Sequence, residues 1–146
     1  MEVQTARFGF VEYAADDVLR FPEGLPGLAG CRDWVILAGR HGDAVAWMQC
    51  VSHPEVALAV VAPRRFVPGY QLRVAPRELE PLWLDSLESA WVLAIVSRTE
   101  RSLSVNLKAP VVVNARRRLG RQVIGNGDLP LRHPLTVAVS TLGRTA

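Results

Sequence analysis

The side chains with the clearest capacity for chemistry are two cysteines and three histidines. Cys50 and His53 form a C-x-x-H pair, a spacing that suits two zinc ligands. A structural zinc site normally has four ligands, and Cys31 and His41 would complete this one only by converging from other parts of the chain. We therefore expect no metal site, and we interpret both cysteines as buried thiols.

Motifs for catalysis or phosphate binding are absent from the sequence. It contains no G-x-S-x-G, G-x-x-x-x-G-K-[ST], G-x-G-x-x-G or H-E-x-x-H. The glycine-rich stretch GLPGLAG, residues 24–30, lacks a following lysine and indicates a turn-rich loop. Asp16 and Asp17 are adjacent, so they cannot converge as an acid–base pair from one strand. The sequence predicts a protein that is not an enzyme and that needs no cofactor.

A basic run, Arg116–Arg118 followed by Arg121, is the strongest charge feature. The net charge is +3, but residues 1–63 carry −4 and residues 101–146 carry +7. Such arginines can engage phosphates, yet single-strand binders also present aromatic platforms, and residues 101–146 contain no aromatic side chain. We expect a solvated corner, with a small nucleic-acid-binding barrel as the alternative.

The segment NLKAPVVVN, residues 106–114, precedes that run. Its three valines show no polar alternation, which predicts a strand covered on both faces. Asn106 and Asn114 flank the apolar part and are expected to hydrogen-bond the backbone at its ends. Pro110 suits the first residue of a strand or a bulge, and Gly120 is expected to permit a turn before residues 121–124 pair back.

Residues 76–87, PRELEPLWLDSL, are the best helix candidate. Pro76 suits the first turn, and Pro81 limits the helix to one or two turns. Two interpretations remain open for its side chains. Either Trp83 is an apolar anchor inside an acidic rim that binds a protein, or leucine and tryptophan pack inward and the acids are merely solvated. The second is the simpler expectation. The candidate partner-binding residues are Glu78, Glu80, Trp83, Asp85 and Glu88.

Strand patterns are dense elsewhere in the chain. Apolar or alternating runs lie at residues 8–13, 34–38, 44–50, 56–62, 70–74, 91–97, 101–107, 111–114 and 121–124. Turn sequences join them. GRHGD at 39–43 predicts a β-hairpin over residues 34–50, and TER at 99–101 predicts another between 91–97 and 101–107. GNGD at 125–128 supplies residues where positive φ is expected. The pattern predicts a mainly β fold, a compact antiparallel β-barrel-like domain with one or two short helical turns.

Length and composition agree with one globular domain. The 146 residues are 49% hydrophobic and 21% charged. We expect one domain over residues 1–138 and a disordered tail at 139–146. No signal peptide or bilayer-spanning run is visible, so the expected location is the cytoplasm, without membrane contact. The default oligomeric state is a monomer.

Four stretches resemble one family, the flagellar assembly factor FliW. They are FPEGLPGL at 21–28, WMQC with HP at 47–54, NLKAPVVVN at 106–114, and GRQVI with PLRHPL at 120–135. Their order and spacing also fit, and the resemblance covers residues 3–135. The motif positions, expected to be structural, are Asn106, Leu107, Ala109, Pro110, Asn114, Gly120 and Gln122.

The resemblance implies a small β-barrel-like domain without cofactor or catalysis. FliW proteins bind flagellin in the cytoplasm and also bind the RNA-binding regulator CsrA. Flagellin export frees FliW to bind CsrA, which then loses its hold on flagellin mRNA. The expected partners are therefore flagellin and CsrA, with no direct contact to nucleic acid.

Overall fold

The computed structural model describes residues 1–38 and 44–135, and most of its regular structure is β-strand. The strands are β1 (Glu2–Thr5), β2 (Gly9–Glu12), β3 (Leu19–Arg20), β4 (Asp33–Leu37), β5 (Val45–Cys50), β6 (Ala57–Val61), β7 (Trp91–Arg98), β8 (Leu103–Val105), β9 (Val111–Asn114), β10 (Leu119–Gln122) and β11 (His133–Pro134). One short helix, α1 (Pro76–Leu79), lies among the described residues.

Seven of these strands close into a barrel. The order around it is β3, β4, β5, β6, β7, β9 and β10, and β10 pairs back with β3. The hairpin of β4 and β5 confirms the one predicted over residues 34–50, while its predicted turn at 39–43 is outside the described residues. The barrel prediction is confirmed, but β10 and β3 are parallel, an exception to the predicted antiparallel pairing.

Strand β7 connects the barrel to a short extension of the sheet formed by β8 and β11. Its first residues pair with β9, and Val60 of β6 aligns with Ile95 in its middle. Its last residues pair with β8, to which β11 is added. Strands β1 and β2 form a separate hairpin. Because β7 is eight residues long, it has room to pair with β6, β8 and β9 along its length.

The barrel interior is a dense apolar core. Trp34 and Phe21 meet edge to face with their ring centroids 6.3 Å apart, and both are fully buried. Val111 and Val113 belong to this cluster, whereas Val112 packs on the other side of β9 with Leu79 and Leu82. The prediction that 111–113 is covered on both faces is confirmed, and the outer cover is the segment containing α1.

The strand predicted at residues 70–74 is wrong. No ladder forms there, and Leu72 and Val74 pack against the core from an irregular segment. Tyr70 is buried, and its hydroxyl donates a 2.7 Å hydrogen bond to the carbonyl of Leu107. Burial raises the pKa of Tyr70 to about 12. The segment is therefore held by the side chain of Tyr70, although its alternating apolar pattern had predicted a hydrogen-bonded strand.

The predicted role of Gly120 is also wrong, because this glycine lies inside β10 and not in the turn. A Cβ at this position would lie 2.4 Å from Cζ of Phe21, so the ring occupies the space of a side chain. The left-handed position of the β9–β10 turn is Arg118, with φ 55°. Among the glycines of residues 125–128, Gly127 has the expected positive φ, 84°.

The prediction of a helix of only one or two turns within residues 76–87 is confirmed. Helix α1 continues into a 3₁₀ turn at Glu80–Leu82 that includes Pro81. The two elements together make about two turns, as the prolines require. The tail predicted at residues 139–146 lies outside the described residues.

Candidate functional site

Trp83 is a large apolar side chain that is exposed in the segment predicted to bind partners. Its exposed fraction is 68%, whereas Leu82 beside it is 1% exposed. Trp83 ends the 3₁₀ turn in a left-handed conformation, φ 58° and ψ 39°, and its N–H donates to the carbonyl of Glu80 at 3.0 Å. The expectation of inward packing is thus correct for Leu82 and wrong for Trp83.

The backbone around Trp83 is held by a buried amide. Asn114 donates from Nδ2 to the carbonyl of Leu82 at 2.8 Å. Its Oδ1 accepts from the backbone N–H groups of Arg116 and Arg117 at 3.2 and 3.3 Å. The predicted backbone capping by Asn114 is confirmed. The bond from Asn114 to the carbonyl of Leu82 was not predicted, and it connects the turn before Trp83 to the turn after β9.

Two arginines of the β9–β10 turn lie over two tryptophans. The guanidinium carbon of Arg117 is 4.5 Å from the ring centroid of Trp83, and that of Arg118 is 5.8 Å from the centroid of Trp91. Trp91 is 44% exposed. We call these four residues the two-tryptophan surface. Tryptophan and arginine are the types most enriched where proteins bind each other tightly.

The predicted acids divide into two groups. Glu80, Asp85 and Glu88 are exposed and form an acidic rim along the segment that holds Trp83. Glu78 is half-buried, and its carboxylate accepts a 2.7 Å charged hydrogen bond from Arg121. Glu78 is therefore part of an ion pair that joins α1 to β10, and the free rim consists of the other three.

The charge gradient along the sequence is partly neutralised by the fold. Arg121 contacts Glu23 at 3.1 Å as well as Glu78, so it joins an acid of the first 63 residues to one of α1. Arg118 donates from Nη2 to the carbonyl of Asp17 at 2.9 Å. Arg116 and Arg117 are the exposed members of the basic run. The expectation of a solvated corner is correct for those two arginines.

The remaining motif residues are structural contacts. Asn106 Oδ1 accepts from the backbone N–H groups of Lys108 and Ala109, at 3.1 and 2.9 Å. Gln122 Nε2 donates to the carbonyl of Ala109 at 2.8 Å. Leu107 is buried. Pro110 directly precedes β9, and its carbonyl accepts a 3.0 Å hydrogen bond from the N–H of Val123, the residue after β10. These side chains set the register of β9 against β10.

An apolar groove of about 490 Å³ lies between the 62–73 segment and the start of β7. Tyr70, Leu72 and Val92 line it, and Arg73 and Glu88 are at its edges. Successive residues of a strand face opposite sides, so Trp91 faces away from the groove that Val92 lines. The groove and the two-tryptophan surface are therefore separate faces that share the acidic rim residue Glu88.

One cluster that the sequence analysis named, without expecting its members to converge, is brought together by the fold. The fold brings Cys31 next to Cys50 and His53, with both sulfur atoms 3.7 Å from His53 Nδ1. Burial, reinforced by a hydrogen bond with Cys50, raises the pKa of the Cys31 thiol to about 11. The C-x-x-H spacing was the available signal, and the position of Cys31 beside it depends on the pairing of β4 with β5.

Within residues 1–38 and 44–135, no helix has the length and mean hydropathy that crossing a bilayer would require.

Three comparisons agree on the family. A family model described as FliW protein matches residues 2–135. The flagellar assembly factor FliW of Bdellovibrio bacteriovorus is 37% identical over 138 residues, covering 92% of this chain and 79% of the relative. That of Natranaerobius thermophilus is 31% identical over 150 residues, covering 100% and 99%. A crystal structure of the flagellar assembly factor FliW aligns with a TM-score of 0.85 and 26% identity, covering 94% of this chain and 98% of that chain. This chain therefore belongs to the FliW family of flagellar assembly factors.

Proposed function

We propose that this chain is a non-enzymatic factor that binds flagellin in the cytoplasm. Once released, it binds and antagonises the translational regulator CsrA, so that repression of flagellin mRNA is relieved. The membership in a family of flagellar assembly factors supports this role. The observation that carries it is Trp83, which is 68% exposed yet fixed by the backbone.

A fixed, exposed tryptophan favours protein capture for an energetic reason. Binding normally costs the entropy of side chains that become ordered at the interface. Trp83 follows a turn tied down by Asn114, and Arg117 lies over its ring, so less ordering remains to be done. Strained left-handed positions of this kind persist where surrounding structure over-determines them, often at binding sites.

The two partners suit different faces. CsrA presents a basic RNA-binding surface, and the acidic rim of Glu80, Asp85 and Glu88 attracts arginine and repels phosphate. The terminal regions of flagellin are amphipathic and helix-prone, and such segments bind in apolar grooves with polar edges. The groove lined by Leu72 and Val92 has that character. We assign CsrA to the two-tryptophan surface with its rim, and flagellin to the groove.

Nucleic-acid binding is the second candidate, and two contacts favour it. The basic segment has no aromatic residue of its own, but the fold supplies Trp83 and Trp91 beside Arg117 and Arg118. Bases stack on such platforms. The acidic rim opposes it, because carboxylates next to Trp83 repel a phosphate backbone.

The direct test measures binding of purified flagellin and CsrA by calorimetry. The rim variant carries the three charge reversals Glu80→Lys, Asp85→Lys and Glu88→Lys, and Glu78 is left intact because of its ion pair with Arg121. We expect CsrA affinity to fall by at least about tenfold at low salt, with a smaller loss at high salt. Flagellin affinity should change less.

A matched control reverses three exposed acids far from Trp83 in the sequence. Its substitutions are Glu2→Lys, Glu100→Lys and Asp128→Lys, which change the net charge by the same amount. Equal losses in both triple variants would remove the rim from the proposal. Failure of the wild-type protein to bind either partner would overturn the proposed function. Salt-sensitive micromolar RNA binding that disappears in Arg116→Ala/Arg117→Ala would favour the second candidate.

A further inference from the structure

The cluster of Cys31, Cys50 and His53 has the composition of a metal site. The two sulfur atoms and the histidine nitrogen all lie within 4.8 Å of one another. Cys31 precedes β4, Cys50 ends β5, and His53 lies in the loop before β6. Thiolate and imidazole are the ligands that zinc prefers in proteins.

The distances between ligand atoms match those around a tetrahedral ion. Each sulfur lies 3.7 Å from His53 Nδ1. A zinc ion bonded at about 2.3 Å to sulfur and about 2.0 Å to nitrogen separates these atoms by about 3.5 Å. An ion between the three atoms therefore requires little movement of the ligands.

The cysteine from the loop before β4 is held in position. The indole of Trp34 donates a 2.9 Å hydrogen bond to the carbonyl of Cys31. The N–H of Cys31 donates to the carbonyl of Leu28 at 3.0 Å. Cys31 and Trp34 are almost fully buried, so the sulfur is fixed by core packing as well as by the backbone.

The loop that carries the histidine is held by a buried glutamine. Gln49 is fully buried, and its Nε2 lies 3.3 Å from the carbonyl of His53 and 3.2 Å from that of Pro54. A third carbonyl, that of Cys50, accepts from the same nitrogen at 3.0 Å. Supporting hydrogen bonds of this kind orient metal ligands before the metal arrives.

One side of the cluster is open. His53 is half-buried, and Ser52 and Glu55 beside it are exposed. The Ser52 hydroxyl lies 2.9 Å from His53 Nδ1, on the side that faces solvent. A fourth ligand can thus come from water or from an exposed oxygen, as in zinc sites with three protein ligands.

We propose that Cys31, Cys50 and His53 bind one Zn²⁺ ion, which ties the loop before β4 to the loop between β5 and β6. Binding converts the two thiols to thiolates, with two protons released to solvent, and uses the unprotonated Nδ1 of His53. The site is separate from the two-tryptophan surface and does not depend on either partner. It stabilises the barrel at the end where these loops meet.

The test titrates the full chain with Zn²⁺ against a chromophoric chelator, under a phosphine reductant. We expect one ion per chain in the wild-type protein and a loss of affinity greater than about a hundredfold in His53→Ala. His53 is half-buried, so this variant should fold, which circular dichroism checks. His133→Ala, which removes a half-buried histidine outside the cluster, is the matched control and should bind like the wild type.

Two further measurements identify the ligands. X-ray absorption of the zinc complex should give two sulfur ligands at about 2.3 Å. The melting temperature should rise by about 5 °C or more when free Zn²⁺ exceeds the dissociation constant a hundredfold, and His53→Ala should lose this rise. Substoichiometric zinc in the reduced wild type, or equal affinity in His53→Ala and His133→Ala, would overturn the proposal.

Discussion

The motif segment, residues 106–122, and the acidic segment, residues 80–88, lie against each other but differ in how their polar side chains are used. In the motif segment, Asn106, Asn114 and Gln122 bond to backbone groups. In the acidic segment, the charged side chains and Trp83 face solvent. One segment is scaffold and the other is a presented surface, and Asn114 connects them through the carbonyl of Leu82. We infer that substitutions at the motif positions of the first segment change stability, whereas substitutions in the second segment, or of Arg117 and Arg118 in the β9–β10 turn, change binding.

The largest expected effect is that of Gly120→Ala in the motif segment. Its new Cβ would lie 2.4 Å from the ring of Phe21, a fully buried side chain with no space to retreat. We expect a loss of about 3 kcal/mol of unfolding free energy, or failure to fold. Urea denaturation measures it. Gly69→Ala, where a Cβ meets no atom within 4 Å, is the control and should change stability by less than about 0.5 kcal/mol.

The next effect is that of Asn114→Ala, which acts on both segments. It leaves the carbonyl of Leu82 without its donor and two N–H groups of the β9–β10 turn without their acceptor. We expect a loss of about 2 kcal/mol in denaturation and weaker CsrA binding through the displaced Trp83. Asn114→Asp keeps the acceptor and should be intermediate in stability. Equal stability of all three proteins would break the contrast between the segments.

A smaller effect is expected at Tyr70, which anchors the motif segment from outside. Tyr70→Phe removes the bond to the carbonyl of Leu107 and should cost about 1 kcal/mol. The pKa of Tyr70 is raised to about 12 in the folded protein, against about 10 when unfolded. The contribution of this pKa difference to the free energy of unfolding is therefore complete below pH about 10. It is lost as the pH rises towards 12, because the tyrosine hydroxyl loses its proton at lower pH in the unfolded chain than in the folded protein.

Comparing the urea midpoints of wild type and Tyr70→Phe across that pH range isolates this residue. The wild-type midpoint should fall more steeply than that of the variant, since other titrating groups are common to both. Parallel curves would mean that the tyrosine hydroxyl has the same pKa in both states. Burial of the hydroxyl would then not disfavour its ionised form in the folded protein.

Local patterns allowed much of the barrel to be predicted from the sequence. The β4–β5 and β7–β8 hairpins follow from short apolar runs around turns. The burial of β9 on both faces follows from its three consecutive valines. The backbone capping by Asn106 involves N–H groups only two and three residues further along the chain. Each of these features is decided by chain neighbours, which the sequence displays directly.

The features that escaped prediction depend on residues distant in the sequence. Gly120 is required by Phe21, which comes from the other side of the barrel closure. Tyr70 is fixed by a bond to Leu107, so its alternating neighbours never needed a ladder. Cys31 reaches Cys50 only after β4 pairs with β5. Periodicity carries no information about such encounters.

The exposure of Trp83 also depends on a residue that is distant in the sequence. A tryptophan between two leucines in an amphipathic pattern is normally expected to face the core. Its left-handed conformation turns it outward, and the bond from Asn114 to Leu82 stabilises that turn. The sequence offered both inward packing and exposure for Trp83, and the choice between them depends on the contact of Leu82 with Asn114, 32 positions away.

The smallest change in stability, and the sharpest separation of the two segments, is expected from Trp83 itself. Trp83→Ala and Trp83→Gly both remove the indole and its contact with Arg117, so both should weaken CsrA binding by at least about tenfold. They differ in backbone strain, because φ is 58° at this position. Glycine adopts that conformation freely, so Trp83→Gly should be more stable than Trp83→Ala by about 1 kcal/mol.

The same pair of substitutions at Trp91 provides the control, because this tryptophan lies in the extended strand β7. There glycine should be less stable than alanine by about 0.5–1 kcal/mol, since it loses more chain entropy on folding. Opposite signs at the two tryptophans, measured by urea denaturation, would mean that strain is stored at Trp83 and absent at Trp91. If glycine is the less stable choice at both, the conformation of Trp83 carries no strain. The rigidity argued for this surface would then have to come from Asn114 and Arg117 alone.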